Sequence, residues 1–360
     1  MKKILKTLAL SLLFIPFIAG CKAPVFYEIM RDVAPEEATV NGVITSITRY
    51  KSGNEEKLVT FSSDGLIWKD ANGTSHGQWS PFPNSNQLSG KIIKTAADSS
   101  NLYVVTITFH EDVEKGLNLP DAATLWYYNN GSWSEVSTPE LLPGNFNIFC
   151  TNDVDNSKRS AYLRIGDKVY KLSDKLSGND FPETVTTTGN YNSVVSGGNS
   201  SDIFFESTAS VKNGNYIYWG EGSKLYYSKD TSNPKAEGKK TLALDAGTDI
   251  SCLAATKDAL LIGRGDFSNS LISKGGIAKT SLKDGVPGNS LESFSTNATS
   301  QLASVYQIYT LLVADPEQTE LNASIYASMG FKGSGSSTSV SYDNIGLWSY
   351  YPERGNWNRE

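Results

Sequence analysis

Several residue types that would indicate a familiar chemistry are scarce in this chain. Its 360 residues include three cysteines and two histidines, His76 and His110. Neither histidine has cysteine or carboxylate neighbours at the spacing of metal ligands, so the sequence predicts no metal centre and no other cofactor. No stretch after residue 20 keeps an apolar period of 3.6 residues, which argues against a mainly helical fold.

Basic residues are fewer than acidic residues. The formal net charge is −6, and residues 1–20, which carry three lysines and no acid, leave the remainder near −9. Nucleic-acid binding requires a basic footprint on some face of a protein, so the sequence argues against it. The same deficit argues against attraction to an anionic membrane through protein charge.

The most apolar segment lies at the N-terminus and is too short to span a bilayer as a helix. Three lysines precede the mostly apolar residues 7–18, a pattern typical of a secretory signal peptide. The run ends in Ile18-Ala-Gly20-Cys21, which resembles the lipobox of bacterial lipoproteins. The resemblance implies cleavage after Gly20, a diacylglycerol group on the thiol of Cys21, and acylation such as palmitate on the new amino terminus. An ordinary signal peptide that happens to contain a cysteine is the alternative.

The sequence therefore predicts a signal peptide over residues 1–20, a lipidated tether over 21–40 and a folded domain over 41–360. Acyl chains on Cys21 would supply the membrane contact that an acidic domain lacks. Lys22, rather than an aspartate, favours the outer membrane or cell surface over the inner membrane by the rule known for enteric bacteria.

From Asn41 onward the chain consists of short runs of β-branched and aromatic residues at period two, bounded by Gly, Asn, Asp and Ser. Val43–Thr48, Asn101–Thr108 and Tyr216–Trp219 are examples. This pattern is typical of strands. The sequence predicts an all-β fold.

Six aliphatic–aromatic positions recur 44 to 70 residues apart: Trp68, Trp126, Tyr170, Tyr226, Ala278 and Trp348. The interval is close to that of a four-stranded β-propeller blade. We expect six blades, with seven as the alternative, in a monomeric ring that closes by placing the C-terminus beside the first blade, with Val25–Ile29 as a possible added edge strand.

Three of these units end in Gly-x-Trp: Leu66–Trp79, Leu125–Trp133 and Leu347–Trp357. They resemble the outer hairpins of kelch-type blades, although the double glycine of that family occurs only loosely, around Gly220-Glu-Gly222. The resemblance implies a propeller and transfers no partner or activity. We expect the tryptophans to fill the gaps between blades. Because neighbouring strand residues face opposite sides, we expect exposure at Tyr127, Tyr128, Tyr350 and Tyr351.

No catalytic constellation stands out. Ser62–Trp68 resembles a shortened Asp box, one residue too short between Asp64 and Trp68, and predicts a hairpin turn. The acidic clusters at Glu111–Glu114 and Asp153–Asn156 are predicted to be solvated loop charges. Cys150 and Cys252 are predicted to be buried thiols on equivalent strands of non-neighbouring repeats, with a disulfide as the alternative.

Three functional classes remain open at this point. The first is a lipid-anchored module that binds or scaffolds a protein or glycan at the bacterial envelope. The second is a carbohydrate-active hydrolase of propeller fold, which would need two carboxylates facing each other across the substrate. The third is an accessory subunit of an outer-membrane assembly complex. The long loops Asp112–Ala122, Thr231–Gly238 and Lys332–Ser339 are the candidate binding loops.

Overall fold

The computed structural model describes residues 39–42, 44–73, 76–114, 116–150, 153–166, 168–173, 210–229, 234, 238–265, 275–294, 307–330 and 345–360. The predicted signal peptide, Cys21, Val25–Ile29 and most of the predicted tether lie outside these residues. So do the loop Lys332–Ser339 and most of Thr231–Gly238.

The described part of the chain is built almost entirely from short strands. In chain order they are β1 (Ile47–Ser52), β2 (Glu55–Ser62), β3 (Gly65–Asp70), β4 (Ser80–Pro81), β5 (Lys91–Ala97), β6 (Leu102–Asp112), β7 (Leu117–Asn129), β8 (Ser132–Glu135), β9 (Phe146–Cys150), β10 (Ala161–Ile165), β11 (Lys168–Lys171), β12 (Ser210–Asn213), β13 (Tyr216–Glu221), β14 (Lys224–Ser228), β15 (Thr241–Asp245), β16 (Ile250–Ala255), β17 (Ala259–Arg264), β18 (Gly276–Lys283), β19 (Val286–Pro287), β20 (Glu292–Ser293), β21 (Gln307–Val313), β22 (Ile325–Gly330), β23 (Gly346–Tyr351) and β24 (Asn356–Arg359). Single 3-10 turns occur at Ser85–Gln87, Asn156–Lys158 and Glu320–Asn322.

Strands that follow one another in the chain pair in antiparallel fashion, which gives six sheets among the described residues. Sheet 1 is β1–β4, sheet 2 is β5–β8, sheet 3 is β9–β11, sheet 4 is β12–β15, sheet 5 is β16–β19 with β20 also paired to β18, and sheet 6 is β21–β24. Sheet 3 has three strands among the described residues, and residues 174–209, which follow it, are outside the described part.

Both faces of a sheet are buried, as two consecutive residues of β2 show. Leu58 packs with residues of sheets 1 and 6, whereas Val59 packs with residues of sheets 1 and 2. In β23, Leu347 and Trp348 likewise belong to two different apolar clusters. Strands of a sheet that is covered on both faces have continuous hydrophobic runs in their sequence rather than an alternation of apolar and polar residues. Each sheet is therefore a layer between two others.

The sheets contact one another in chain order and the last contacts the first. Apolar clusters join sheet 1 to 2, 2 to 3, 4 to 5, 5 to 6 and 6 to 1. Between sheets 3 and 4, the main-chain N–H of Val154 donates to the carbonyl of Lys212. The fold is a β-propeller, which confirms the predicted fold class; the number of blades stays a prediction.

The six recurring aliphatic–aromatic positions lie on the same strand of each sheet. All six lie on the third strand, namely β3, β7, β11, β14, β18 and β23. The Gly-x-Trp tryptophans follow on or next to the fourth strand, and each packs on the preceding sheet: Trp79 on Tyr326, Trp133 on Phe82 and Trp357 on Phe294, at ring-centroid distances of 6.4, 5.6 and 5.9 Å. The predicted role of these rings as fillers between blades is confirmed.

The predicted exposure of the neighbouring tyrosines is wrong. Tyr128, Tyr350 and Tyr351 are buried, at 7, 6 and 1% exposure, and Tyr127 packs partly buried against the cluster between sheets 2 and 3. Alternation exposes one face of a strand only when that face of the sheet meets solvent. Here the neighbouring sheet covers it.

Cys150 and Cys252 are both free thiols, on the first strands of sheets 3 and 5, as predicted. Cys252 is buried, as predicted, and burial raises the pKa of its thiol to about 12. Cys150 is half-buried, so the prediction that it is a buried thiol is wrong.

Candidate functional site

An open groove lies between sheets 1 and 2, where the β2–β3 turn faces the connection from β4 to β5. Its volume is about 790 Å³. The side chains that supply its chemistry are Asn41, Phe61, Asp64, Asn86, Leu88 and Lys91.

One wall of the groove is the tight turn that joins β2 to β3. The main-chain N–H of Asp64 donates to Ser62 Oγ at 3.1 Å, and Gly65 follows with a φ of +114°, which favours glycine. Asn41 Nδ2 donates to Asp64 Oδ2 at 3.3 Å. The predicted hairpin turn is confirmed. Asp boxes are expected at the blade periphery, away from any site, whereas Asp64 lines this groove.

The opposite wall is the connection from β4 to β5. Asn84 adopts a left-handed φ of +56° and its Nδ2 donates to the carbonyl of Gly131 at 2.9 Å, which fixes the 3-10 turn that carries Asn86. At Gly90 a Cβ would lie 2.6 Å from the carbonyl oxygen of Ile107, so this position requires glycine for close approach to β6. Both walls are thus held by the fold without a ligand.

The groove offers two amides and one charged group of each sign rather than a pair of acids. Among its described lining residues Asp64 supplies the single carboxylate, accompanied by the amides of Asn41 and Asn86 and the ammonium of Lys91. Amide groups both donate and accept hydrogen bonds, as sugar hydroxyls do. Phe61 and Leu88 add apolar surface. This arrangement can bind a polar ligand; glycoside hydrolysis requires a second carboxylate across the substrate, and the described lining residues include one carboxylate.

A second polar region spans the central channel. Arg49 of β1 donates through Nη2 to the carbonyl of Asp153 at 2.9 Å, and Arg159 donates through Nη2 to Glu56 Oε1 at 3.0 Å. Sheets 1 and 3 are separated by sheet 2 in the ring, so these contacts cross the channel. Burial, and then the nearby charge of Arg159, lower the pKa of Arg49 to about 10.

The groups of this channel region bond to one another. Arg159 Nη1 also donates to the carbonyl of Arg49, and Lys212 Nζ lies 3.4 Å from Asp153 Oδ2. Asp153 is 3% exposed, so the prediction that it is a solvated loop charge is wrong; in its buried position Lys212 lies beside its carboxylate and Arg49 donates to its carbonyl. Asp155 stays partly exposed and pairs with Lys158 at 3.0 Å. The region is a cross-link between sheets 1 and 3.

A third polar cluster joins the last sheet to the first and centres on the buried side chain of Glu360. Its Oε2 accepts from Lys69 Nζ at 2.8 Å, from Trp79 Nε1 at 2.6 Å and from the main-chain N–H of Gly77 at 3.1 Å. Its Oε1 accepts from Ser349 Oγ, which also bonds to His76 Nδ1 at 2.7 Å.

The surroundings of Glu360 favour its charged form. Burial works to raise the pKa of this carboxyl, but His76, 3.7 Å away, and the charge of Lys69 outweigh it, so the pKa lies below its ordinary value. The main-chain oxygen of Glu360 accepts from the N–H groups of Thr39 and Val40 at 2.9 Å each. These contacts bear out the expected placement of the C-terminus beside the first blade.

Sequence reasoning missed the partners in these clusters because they lie far apart in the chain. Lys69 and Glu360 are separated by 291 positions, and Arg49 and Asp153 by 104. The available signal was the position of Lys69 directly after the apolar run Leu66–Trp68, since a buried lysine needs a partner.

The predicted binding loop Asp112–Ala122 is mostly strand. β6 and β7 extend past the rest of sheet 2 as a hairpin. Glu111 and Glu114 at its tip are exposed, as predicted. The other two predicted loops cannot be placed, since they fall largely outside the described residues.

Comparison with protein-family models gave no match, and comparison with curated proteins gave none either. Solved structures gave distant matches. A chain of a mitotic checkpoint complex is 12% identical, with a TM-score of 0.34 over 80% of this chain and 88% of that one. A xylan β-1,4-xylosidase from Bacillus halodurans C-125 is 12% identical, with a TM-score of 0.33 over 83% of this chain and 65% of that one. Oligopeptidase B from Trypanosoma brucei is 8% identical, with a TM-score of 0.38 over 88% of this chain and 40% of that one. Likeness at this level transfers no activity, ligand or partner.

The described residues also bear on two other classes of site. They contain no helix long and apolar enough to cross a membrane. They also contain no group of three or more His, Cys, Asp and Glu side chains that could hold a metal ion.

Proposed function

We propose that this protein is an exported β-propeller, anchored by lipid on Cys21 in the bacterial envelope, that binds a glycan in the groove between sheets 1 and 2. The observation that carries the proposal is the composition of the groove. Its polar side chains reach open space, and among the described lining residues it holds one carboxylate, Asp64. Acyl chains on Cys21 of the predicted lipobox would hold this groove at a membrane surface.

The alternative of a glycoside hydrolase has weaker support. Three described carboxylates that lie beside basic groups, Glu56, Asp153 and Glu360, are engaged within the polar clusters. A hydrolase instead needs an acid and a second carboxylate flanking a substrate-sized space. A role as an accessory subunit of an outer-membrane assembly complex would require a protein partner rather than a glycan.

The binding proposal can be tested by titrating neutral and acidic oligosaccharides into the protein, with calorimetry as the readout. We expect binding by the parent protein and a loss of about tenfold or more in Asp64→Ala, which removes charge-assisted hydrogen bonds. Glu353→Ala is the matched control, because Glu353 is exposed on another sheet. Unchanged affinity in Asp64→Ala would rule out the groove as the site. Cleavage of the oligosaccharide that stops in Asp64→Asn would establish the hydrolase.

The anchor has its own test. Cys21→Ser removes the thiol that would carry diacylglycerol, and stable anchoring needs more than one acyl chain. We expect the variant to leave the membrane fraction and the detergent phase, whereas a Cys150→Ser control stays with the membrane. Detergent partitioning that is the same in Cys21→Ser and in the parent protein would contradict lipidation at this residue.

A further inference from the structure

The two thiols in the described part of the chain lie in different surroundings. Cys252 is 1% exposed, and burial raises the pKa of its thiol to about 12. Cys150, on the first strand of sheet 3, is half-buried. Reactive cysteines are partly exposed and lie beside cations, whereas buried structural cysteines are inert. Cys150 therefore meets the first of these two conditions, and Cys252 does not.

The second condition is met by two arginines. The sulfur of Cys150 lies 3.9 Å from Thr48 Oγ1, and Arg49 follows Thr48 on β1. Within its own sheet Cys150 pairs with Ala161, two residues after Arg159. Arg159 Nη1 donates to the carbonyl of Arg49, which holds the two arginines together. Burial lowers the pKa of both guanidinium groups, and negative charge on Cys150 acts against this effect, so the sulfur is within electrostatic reach of both cations.

The cluster around this thiol has more cations than carboxylates. Among the described residues it joins three cations and two carboxylates, namely Arg49, Arg159, Lys212, Glu56 and Asp153. Arg159 is 5% exposed, and its Nε has no hydrogen-bond acceptor within the described part of the chain. A buried donor without an acceptor costs free energy. An oxygen added to the sulfur of Cys150 would bring both an acceptor and negative charge to this cluster.

We propose that Cys150 is a redox-reactive thiol, which a hydroperoxide oxidises to a sulfenic acid. The guanidinium groups of Arg49 and Arg159 would attract the anionic form of the sulfur, which is the nucleophile in this reaction. The oxygen of the product would then accept a hydrogen bond from Arg159 Nε. Partly exposed cysteines beside cations are the ones that are oxidised selectively in proteins.

The oxidation step consumes one hydroperoxide for each thiol. The sulfur of Cys150 attacks one oxygen of the hydroperoxide, so that an S–O bond forms as the O–O bond breaks. The sulfur is oxidised by two electrons, and the leaving oxygen takes the electron pair of the O–O bond. That oxygen also takes the proton of the thiol, so hydrogen peroxide gives water and an organic hydroperoxide gives an alcohol.

The parent protein alone provides the first test. Hydrogen peroxide is added to folded and to urea-unfolded protein, the sulfenic acid is trapped with dimedone, and each cysteine is followed by mass spectrometry of its peptide. Half-burial by itself would slow Cys150 in the folded protein, whereas the two arginines should make it react about tenfold faster there than in the unfolded chain. Cys252 is the internal control and should react only in the unfolded chain. If Cys150 reacted no faster in the folded protein, the proposal would be overturned.

Variants then test the role of the arginines. We expect Arg159→Gln to slow the oxidation of Cys150 in the folded protein by about tenfold, and Arg159→Lys, which keeps the charge, to slow it less. Lys51→Gln is the matched control, because Lys51 is an exposed cation on the strand of Arg49, and its rate should equal that of the parent protein. A parent-like rate in folded Arg159→Gln would contradict the proposal. Asp64→Ala should also react as the parent protein does, so this test does not depend on the glycan groove.

Discussion

Sheet 1 is flanked on its two sides by regions that use polar side chains in opposite ways. Toward sheet 6, Lys69, His76 and Glu360 are buried and bonded to one another or to neighbouring groups. Toward sheet 2, the seam is aromatic, and the polar groups of Asn41 and Asp64 lie in the open groove beside it.

The difference follows from how the chain connects these sheets. Sheets 1 and 2 are joined by a short connection, so an apolar seam of Tyr50, Phe82, Tyr128 and Trp133 is sufficient to pack them. Sheets 1 and 6 lie at the two ends of the described domain, and their seam is not fixed by a short chain connection. A buried ion pair with several hydrogen bonds fixes their relative position, because it is satisfied in one arrangement only.

The largest effect is expected from the aromatic seams. Trp133→Ala and Trp357→Ala should each lower the free energy of unfolding by about 3–5 kcal/mol, since each removes a large ring buried between two sheets. Chemical denaturation measures this directly. Trp79 is only partly buried, so Trp79→Ala is the comparison and should cost less. If Trp133→Ala lowered the free energy of unfolding by less than about 1 kcal/mol, the ring would be exposed to solvent rather than buried between sheets.

A smaller effect is expected at the charged seam. Glu360→Gln keeps the volume and one acceptor but leaves the ammonium of Lys69 buried without its carboxylate, which should cost about 3 kcal/mol. Because the loss arises from an unpaired charge, Lys69→Met combined with Glu360→Gln should recover much of it. Additive losses in the double variant would show that the two residues act independently.

The smallest effect is the pH dependence of the same seam. The pKa of Glu360 is lowered in the folded protein from its ordinary value of 4.5. The stabilisation is therefore complete above about pH 4.5 and is lost as the pH falls through the folded-state pKa. Unfolding free energies measured from pH 7 to pH 3 should fall less steeply in Glu360→Gln than in the parent protein. If the unfolding free energies of the two proteins fell equally steeply with pH, the assignment of this pH dependence to Glu360 would be contradicted.

The sequence was a good guide to what repeats and a poor one to what occurs once. Strand alternation and the recurrent third-strand residues predicted the sheets, and Gly-x-Trp predicted the filling of the seams, because each pattern reflects local geometry repeated along the chain. The same alternation misplaced Tyr350 and Tyr351, because it does not report whether a neighbouring sheet covers the second face.

The polar clusters and the groove could be found only from the folded structure, not from the sequence. Arg49 meets Asp153 across the channel, and Glu360 meets Lys69 across the seam of first and last sheets. Asp64 was predicted to lie in a turn, and it does, but its place in the groove wall depends on Asn41 and on the separate connection that carries Asn86. Such meetings depend on the tertiary arrangement and leave no local pattern.

The central claim is that the groove side of sheet 1 serves binding and the opposite side serves stability. It is tested most directly by measuring oligosaccharide affinity and unfolding free energy for both Asp64→Ala and Glu360→Gln. We predict that Asp64→Ala loses binding while its stability changes by less than about 0.5 kcal/mol, and that folded Glu360→Gln keeps the parent affinity while losing stability. The claim would be contradicted if Asp64→Ala bound as the parent protein does, or if Glu360→Gln remained folded and lost binding.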